Sequence, residues 1–206
     1  MARGVVRGDD GVRRCSWGAD PPDYRAYHDD EWGRPVGDEV RIYEKLCLEG
    51  FQSGLSWLTI LRKREGFRRA FRGFDPERVA RFGARDVTRL LNDVSIVRHR
   101  GKIEAAIANA KATLAVRDDR GSLGALVWSF EPSRRRRAPR AFAELVSTTP
   151  ESTALSKELK RYGFRFVGPT TAYAALQSLG LVNDHLVGCA SRAVCLDARA
   201  AFTLPA

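Results

Sequence analysis

The stretch Leu181-Val-Asn-Asp-His-Leu-Val-Gly-Cys189 sets His185 and Cys189 four positions apart. On a helix that spacing points both side chains the same way, one turn apart, which is half of a tetrahedral metal site. The N-terminal region offers matching residue types, Cys15 and His28, thirteen positions apart. Two thiolates and two imidazoles suit zinc, and four protein ligands leave no open position for water, so such a zinc is structural. It would tie the N-terminal segment to the C-terminal one, and cross-linking a loop of roughly 100 residues or more is worth on the order of 5 kcal/mol. The Cys15–His28 spacing is not that of a zinc finger. Spacing alone therefore leaves buried cysteines beside two ordinary histidines as an equal alternative.

A second group surrounds "CLEGFQSGLSW" (47–57). Glu49 falls on the stripe Ile42, Leu46, Glu49, and a carboxylate on an apolar helix face is costly unless something binds it. Trp17, Tyr24, Tyr27, Trp32 and Trp57 lie nearby in the chain. Aromatic faces around one partly buried acceptor describe a pocket for a flat heterocycle. Taken alone, the pattern fits better a core aromatic cluster in which Glu49 caps a backbone amide or pairs with an arginine. A third group is "RLLNDVSIVRHRGKIEAAI" (89–107). The turn's free amides with Arg98, Arg100 and Lys102 suit a DNA phosphate, and a tight connection between two packed helices fits the same pattern equally well.

Helical periods must position these groups. Tyr43, Leu46, Cys47 and Phe51 keep a three-and-four spacing from Glu39 to Phe51. Asp75-Pro76-Glu77 is a helix start, with Gly83 as its expected stop. One helix is expected to end near Asn92-Asp93 and another to begin about Gly101, carrying Ile103, Ile107, Ala110 and Leu114. Leu155, Leu159 and Tyr162 mark a further helix closed by Gly163, and another runs from about Thr170 to Leu179, ended by Gly180. Alternating strand-like runs are nearly absent, so the fold class is all-α. A single domain is expected over 14–190, with flexible tails at 1–13 and 191–206. The Arg134–Arg137 run beside prolines reads as a solvated loop.

Composition narrows the class of partner. The chain has 206 residues, with 35 Lys and Arg against 25 Asp and Glu, a formal net charge of +10. That excess favours an anionic partner, with nucleic acid leading. No apolar run approaches the ~20 residues of a membrane span, and the N-terminus lacks the apolar stretch of a signal peptide. Four cysteines make no dense disulfide framework, which points to a cytoplasmic, reducing compartment. Cys47 reads as core, and Cys195 falls outside the zinc set.

Several motifs together carry a resemblance. "YHDDEWG", "LCLEGFQSGLSW", "RHRGKI" and "FVGPTTAY…LGLVNDHLVGC" resemble the DNA-3-methyladenine glycosylase I family, in order from about Cys15 to Cys189. The resemblance implies a helix-hairpin-helix glycosylase fold with a structural zinc joining the N- and C-terminal segments. The zinc ligands it implies are Cys15, His28, His185 and Cys189. It makes Glu49 the pocket carboxylate that reads the base, with Tyr27 and Trp57 around it and Trp17, Tyr24 and Trp32 as the outer wall. Ser53-Gly54-Leu55 matches the segment that approaches the gap left by a flipped nucleotide. Residues 89–107 match the hairpin, with Arg98, Arg100, Gly101 and Lys102 toward DNA. Val94-Ser95 departs from the small residue and glycine that this hairpin often carries. The expected partner is double-stranded alkylated DNA, bound by a monomer. The expected reaction is hydrolytic removal of 3-methyladenine, with no lysine placed for lyase chemistry.

Overall fold

The computed structural model describes residues 4–133 and 136–206; Arg134 and Arg135 of the arginine run lie outside them. Helices carry the fold. They are α1 (Pro22–Asp30), α2 (Glu39–Gln52), α3 (Trp57–Ala70), α4 (Pro76–Val79), α5 (Ala84–Leu91), α6 (Arg100–Arg120), α7 (Leu123–Trp128), α8 (Pro150–Arg161), α9 (Pro169–Ser178) and α10 (Ala190–Ala200). Two short strands, β1 (Val5–Arg7) and β2 (Arg13–Cys15), precede them.

The centre of the molecule is α2. Asp38 caps it by accepting from the Arg41 amide at 2.9 Å, and every residue from Ile42 to Phe51 is buried. A helix covered on all sides belongs in the middle of a domain, and α3, α6, α7 and α9 pack around it. Phe51 meets Phe67 at 4.5 Å between ring centroids, and Phe71 stacks on Phe74 at 5.4 Å. The buried Tyr43 hydroxyl donates to the Ala106 carbonyl at 2.8 Å, joining α2 to α6. Glu44, buried on the same helix, is neutralised by Arg68 of α3 at 2.7 Å.

Within the segments expected as tails, Val5–Arg7 and Ala190–Ala200 form regular elements. Val5–Arg7 pairs antiparallel with Arg13–Cys15, Val5 opposite Cys15, through a turn closed by Gly8 and by Gly11 at φ 77°. Residues 190–200 form α10, whose Arg199 pairs with Glu131 at 2.5 Å. Beyond it Phe202 packs on Trp128 at 4.7 Å. The partners of the C-terminal end lie far away in sequence, which local composition does not reveal, whereas the N-terminal strand pairs with its neighbour.

Two local expectations are corrected. Gly83 does not stop α4; it is the N-cap of α5, its amide received by Asp86 Oδ2 at 3.2 Å. Residues 181–189 are not helical. Gly180 at φ 82° ends α9, and a Cβ there would lie 2.5 Å from the Arg34 carbonyl carbon, so only glycine fits. The backbone that follows is satisfied by side chains: Arg192 donates to the carbonyls of Asn183 at 3.0 Å and His185 at 2.7 Å. The next helix begins only at Ala190, with Cys189 as its N-cap.

Candidate active site and metal centre

Cys15, His28, His185 and Cys189 come together although the last two share no helix. Their ligand atoms all lie within 4.8 Å of one another, and all four residues are buried. Cys189 Sγ is 3.6 Å from His28 Nε2 and 3.5 Å from His185 Nδ1, and Cys15 Sγ is 3.9 Å from His185 Nδ1. Zinc bonds of about 2.3 Å to sulfur and about 2.0 Å to nitrogen put the sulfur–nitrogen edge of a tetrahedron near roughly 3.5 Å, so the donor set fits. Both imidazoles are held by the ring nitrogen that faces outward. His28 Nδ1 lies 2.7 Å from Asp29 Oδ1, and His185 Nε2 lies 3.0 Å from the Trp32 carbonyl oxygen. With those N–H groups donated away, the inner nitrogens keep their lone pairs toward the thiols, as metal-bound imidazoles require. Asp29 is itself clamped by Arg14 of β2 at 2.8 Å, which also holds Asp10 at 2.7 Å. The hydrogen bond between the two thiols pushes the Cys15 proton loss up and pulls that of Cys189 far down, assisted by both histidines. The Leu186 amide donates to Cys15 Sγ at 3.3 Å.

The same histidines form the back wall of an aromatic cluster. The Trp17 ring stands edge-on to His28 at 5.0 Å, and that of Trp32 to His185 at 4.7 Å. Trp17, in the turn Ser16–Gly18, meets Tyr24 at 5.1 Å and Trp32 at 5.0 Å. Gly18 permits this crowding, since a Cβ there would fall 2.3 Å from His28 Cγ. α1 also carries Tyr27, which tilts against Trp57, the first residue of α3, at 5.2 Å.

A cavity of about 240 Å³ opens between these rings. Trp17, Tyr24, Tyr27, Trp32, Glu49 and Trp57 all line it, so the structure brings the whole set of expected pocket residues to one place. Glu49 is 6 % exposed. Burial pushes its carboxyl up to about 7, against the pull of Lys45 and of the Ser178 hydroxyl. The charge that opposes burial at Glu49 is thus that of a lysine one turn earlier on α2, not of an arginine. Burial, and then the charge of Glu49, push the Tyr27 phenol well up. Trp57 Nε1 is buried without an acceptor among the described residues, an arrangement that costs free energy until a partner arrives.

Sequence reasoning missed part of the wall. Gln52 lies one turn after Glu49, while Ala174 and Gln177 come from α9, and Phe142 and Leu145 from the segment beyond the arginine run. Gln177 donates to Asp184 Oδ2 at 2.8 Å, which also receives the Tyr173 hydroxyl at 2.5 Å. Only Gln52 had a local signal, its helical spacing from Glu49; the others arrive by tertiary packing.

The loop between α2 and α3 borders the mouth of the cavity. An adjoining groove is lined by Ser53, Gly54 and Leu55 together with Glu49, Gln52 and Thr170. Gly54 takes φ 80°, and Leu55 is 41 % exposed. The turn between α5 and α6 is tied by Asp93 Oδ1, which accepts from the Ser95 amide at 2.9 Å and hydroxyl at 2.6 Å. Val94 is exposed, and its carbonyl takes the Lys63 ammonium at 2.8 Å. Arg98 and Arg100 face solvent beside Gly101, Arg100 reaching Glu104 at 3.3 Å. Lys102 departs from the expectation of a phosphate contact. It is buried, and its ammonium donates to the carbonyls of Phe51 at 2.9 Å and Ser53 at 2.6 Å. Those carbonyls end α2 and have no helical donor, so the ammonium's hydrogen bonds are used within the fold.

Known proteins are similar to this chain in sequence and fold. A family model described as Methyladenine glycosylase matches residues 17–193. The DNA-3-methyladenine glycosylase 1 of Escherichia coli (strain K12) is 47 % identical over 181 residues, covering 86 % of this chain and 96 % of that protein. The DNA-3-methyladenine glycosylase of Haemophilus influenzae is 45 % identical over 177 residues, covering 85 % and 96 %. A solved structure of 3-methyladenine DNA glycosylase I from Staphylococcus aureus, determined for the basis of 3-methyladenine recognition, superposes with a TM-score of 0.83 at 38 % identity, covering 87 % of this chain and 96 % of that one. With residues 17–193 matched by the family model and 86 % of its length aligned to a relative 47 % identical to it, the chain belongs to the methyladenine glycosylase family.

Proposed function

We propose that the chain is a monofunctional DNA glycosylase that hydrolyses the N-glycosidic bond of 3-methyladenine in alkylated double-stranded DNA. The observation that carries this reading is a buried carboxylate, Glu49, in a cavity walled by tryptophan and tyrosine rings, in a chain whose relatives are named for that activity.

Such a base lies inside the duplex, so it must be extruded at a cost of a few kcal/mol, which pocket contacts offset. Methylation at N3 makes the base cationic and therefore a good leaving group that needs no protonation. When the bond from the sugar C1′ breaks, its electron pair neutralises the base. Water supplies the hydroxyl at C1′ and releases a proton, leaving an abasic site. Glu49 accepts a hydrogen bond from the exocyclic amino group, and the faces of Tyr27 and Trp57 hold the cationic ring. Tyr24, Trp17 and Trp32 form the outer wall. Ser53, Gly54 and Leu55 enter the gap in the duplex, and the α5–α6 turn, as a helix-hairpin-helix element, sets Arg98, Arg100 and Gly101 against phosphate.

Cys15, His28, His185 and Cys189 would hold one zinc ion. When bound it supplies no chemistry to the reaction, because its four protein ligands close the site. These ligands pin the first 32 residues to the C-terminal region, and with them Trp17, Tyr24, Tyr27 and Trp32.

Incubation with methylated DNA and chromatography of the released bases tests the reading. Release of 3-methyladenine with retention of 7-methylguanine is expected, and Glu49→Gln should slow that release by roughly 10- to 150-fold, the worth of one hydrogen bond to a charged group. Equal release of both bases, or full activity in the variant, would refute it.

A further inference from the structure

Buried charges in this fold are mostly paired by close hydrogen bonds. Arg14 binds Asp10 and Asp29, Glu44 binds Arg68, Asp184 receives Tyr173 and Gln177, and Lys102 ends on two carbonyls. Lys45 is placed otherwise. It is 6 % exposed, one turn before Glu49 on α2, and its ammonium lies over the Tyr27 ring, 5.5 Å from the centroid. Two walls of the base pocket, Glu49 and Tyr27, thus share one buried cation that does not itself line the cavity.

We infer that Lys45 is a positioning residue for base recognition: its buried ammonium, one turn before Glu49 and over the Tyr27 ring, favours the ionised form of Glu49 and so its capacity to accept from the amino group of a cationic base. The inference rests on the reading of Glu49 as the acceptor for the base.

The surroundings of Glu49 support it. The carboxylate is faced from α1 by the phenols of Tyr24 and Tyr27, from α9 by the Ser178 hydroxyl, and on its own helix by Lys45. Both phenols are pushed up and stay neutral near pH 7. Lys45 is therefore the charge that opposes burial at Glu49, as helix neighbours four apart require. Around Lys45 stand Glu31, at the end of α1, and Arg64 of α3, which bind each other at 2.6 Å, and Arg41 on α2. Glu31 and then Glu49 favour the charged ammonium, and Glu31 is shared with Arg64, so Lys45 stands between the Glu31–Arg64 pair and Glu49. Burial pulls the ammonium down to about 8, which keeps it cationic at neutral pH while making its charge sensitive to what lies beside it. Without it, a desolvated carboxyl next to two aromatic rings takes up a proton and turns a hydrogen-bond donor toward the base.

The test is the pH profile of kcat/KM for 3-methyladenine release by the parent, Lys45→Met, Lys45→Arg and Glu49→Gln, each checked for a cooperative melt. In Lys45→Met the acid limb should move upward by about one pH unit or more, giving a loss near tenfold below the limb that shrinks as the pH rises. Lys45→Arg should restore the parental profile, and Glu49→Gln should lack the limb. Titration of 13C-labelled glutamate provides the same readout without turnover: the Glu49 carboxyl signal should titrate higher in Lys45→Met. A loss in Lys45→Met that is equal at every pH, or an unmoved Glu49 titration, overturns the role of Lys45. A parental acid limb surviving in Glu49→Gln overturns instead the reading of Glu49 on which it rests.

Discussion

Replacing Lys102 by methionine should loosen the loop of Ser53, Gly54 and Leu55, proposed to enter the duplex, without touching the base pocket. The ammonium makes two charge-assisted hydrogen bonds, to the Phe51 and Ser53 carbonyls at 2.9 and 2.6 Å. Bonds to a charged group are worth roughly 1.5–3 kcal/mol each in net terms. Part is offset, because burial already pulls the Lys102 amine down and methionine does not bear that desolvation cost. Methionine also keeps the length and apolar contact of the stem. The two carbonyls, however, lose their donor beside an apolar chain. The expected destabilisation is about 2–3 kcal/mol, which for a chain of this size lowers the melting temperature by about 4–12 °C. Amide exchange should accelerate through residues 50–56 first, since the bonds removed are local to the end of α2. Affinity for free 3-methyladenine should be preserved, while excision from duplex DNA falls. A melting temperature within about 1 °C of the parent, with unchanged exchange at 50–56, would refute the assignment of Lys102 to the loop and return it to the phosphate-contacting set.

Other consequences are equally open to measurement. Purified protein should carry one zinc per chain by elemental analysis, and Cys189→Ser should lose it with a drop in stability of up to about 5 kcal/mol; a metal-free parent that melts normally would refute the clasp. Mild chelation that leaves the fold intact should leave excision intact, whereas loss of excision under those conditions would favour a catalytic metal. Glu49 is raised from 4.5 to about 7 on folding, so between those values the folded chain binds the extra proton and stability falls as pH rises. Glu49→Gln should accordingly be more stable than the parent at pH 8, by up to about 3 kcal/mol, with the gap closing below about pH 4.5 in denaturant melts. Gly66→Ala puts a Cβ 2.5 Å from the Ser95 carbonyl oxygen and should push α3 off the α5–α6 turn. DNA affinity should fall at unchanged affinity for free 3-methyladenine, and equal DNA binding by titration would argue against a role for that turn.

Much of the site is visible in residue types and spacing. Glu49 on an apolar stripe, with Trp17, Tyr24, Tyr27, Trp32 and Trp57 nearby, marks a carboxylate whose burial needs a reason, and the family resemblance chose a pocket over a core cluster; the helix carrying Glu49 follows from its period. Helix starts such as Asp75-Pro76 are local chemistry and were legible for that reason. Reading His185 and Cys189 as one turn of helix reached the right pair by the wrong backbone. Four-residue spacing is compatible with a loop held by Arg192 and Asn183, and only the three-dimensional course distinguishes them.

Sequence by itself determined the predominance of helix and the residue types of the pocket, which follow from composition and short-range periodicity. The set Cys15, His28, His185 and Cys189 came instead from the family resemblance, because spacing alone left it open. Tertiary structure decided that Lys102 faces the carbonyls of Phe51 and Ser53, that Lys45 lies over Tyr27, that Gln177 and Phe142 close the wall, and that Val5–Arg7 and Ala190–Ala200 are built into elements. Those outcomes depend on which distant groups meet a given charge or ring. A lysine beside two arginines looks alike whether its ammonium meets water, DNA or the end of a helix until packing supplies the neighbour.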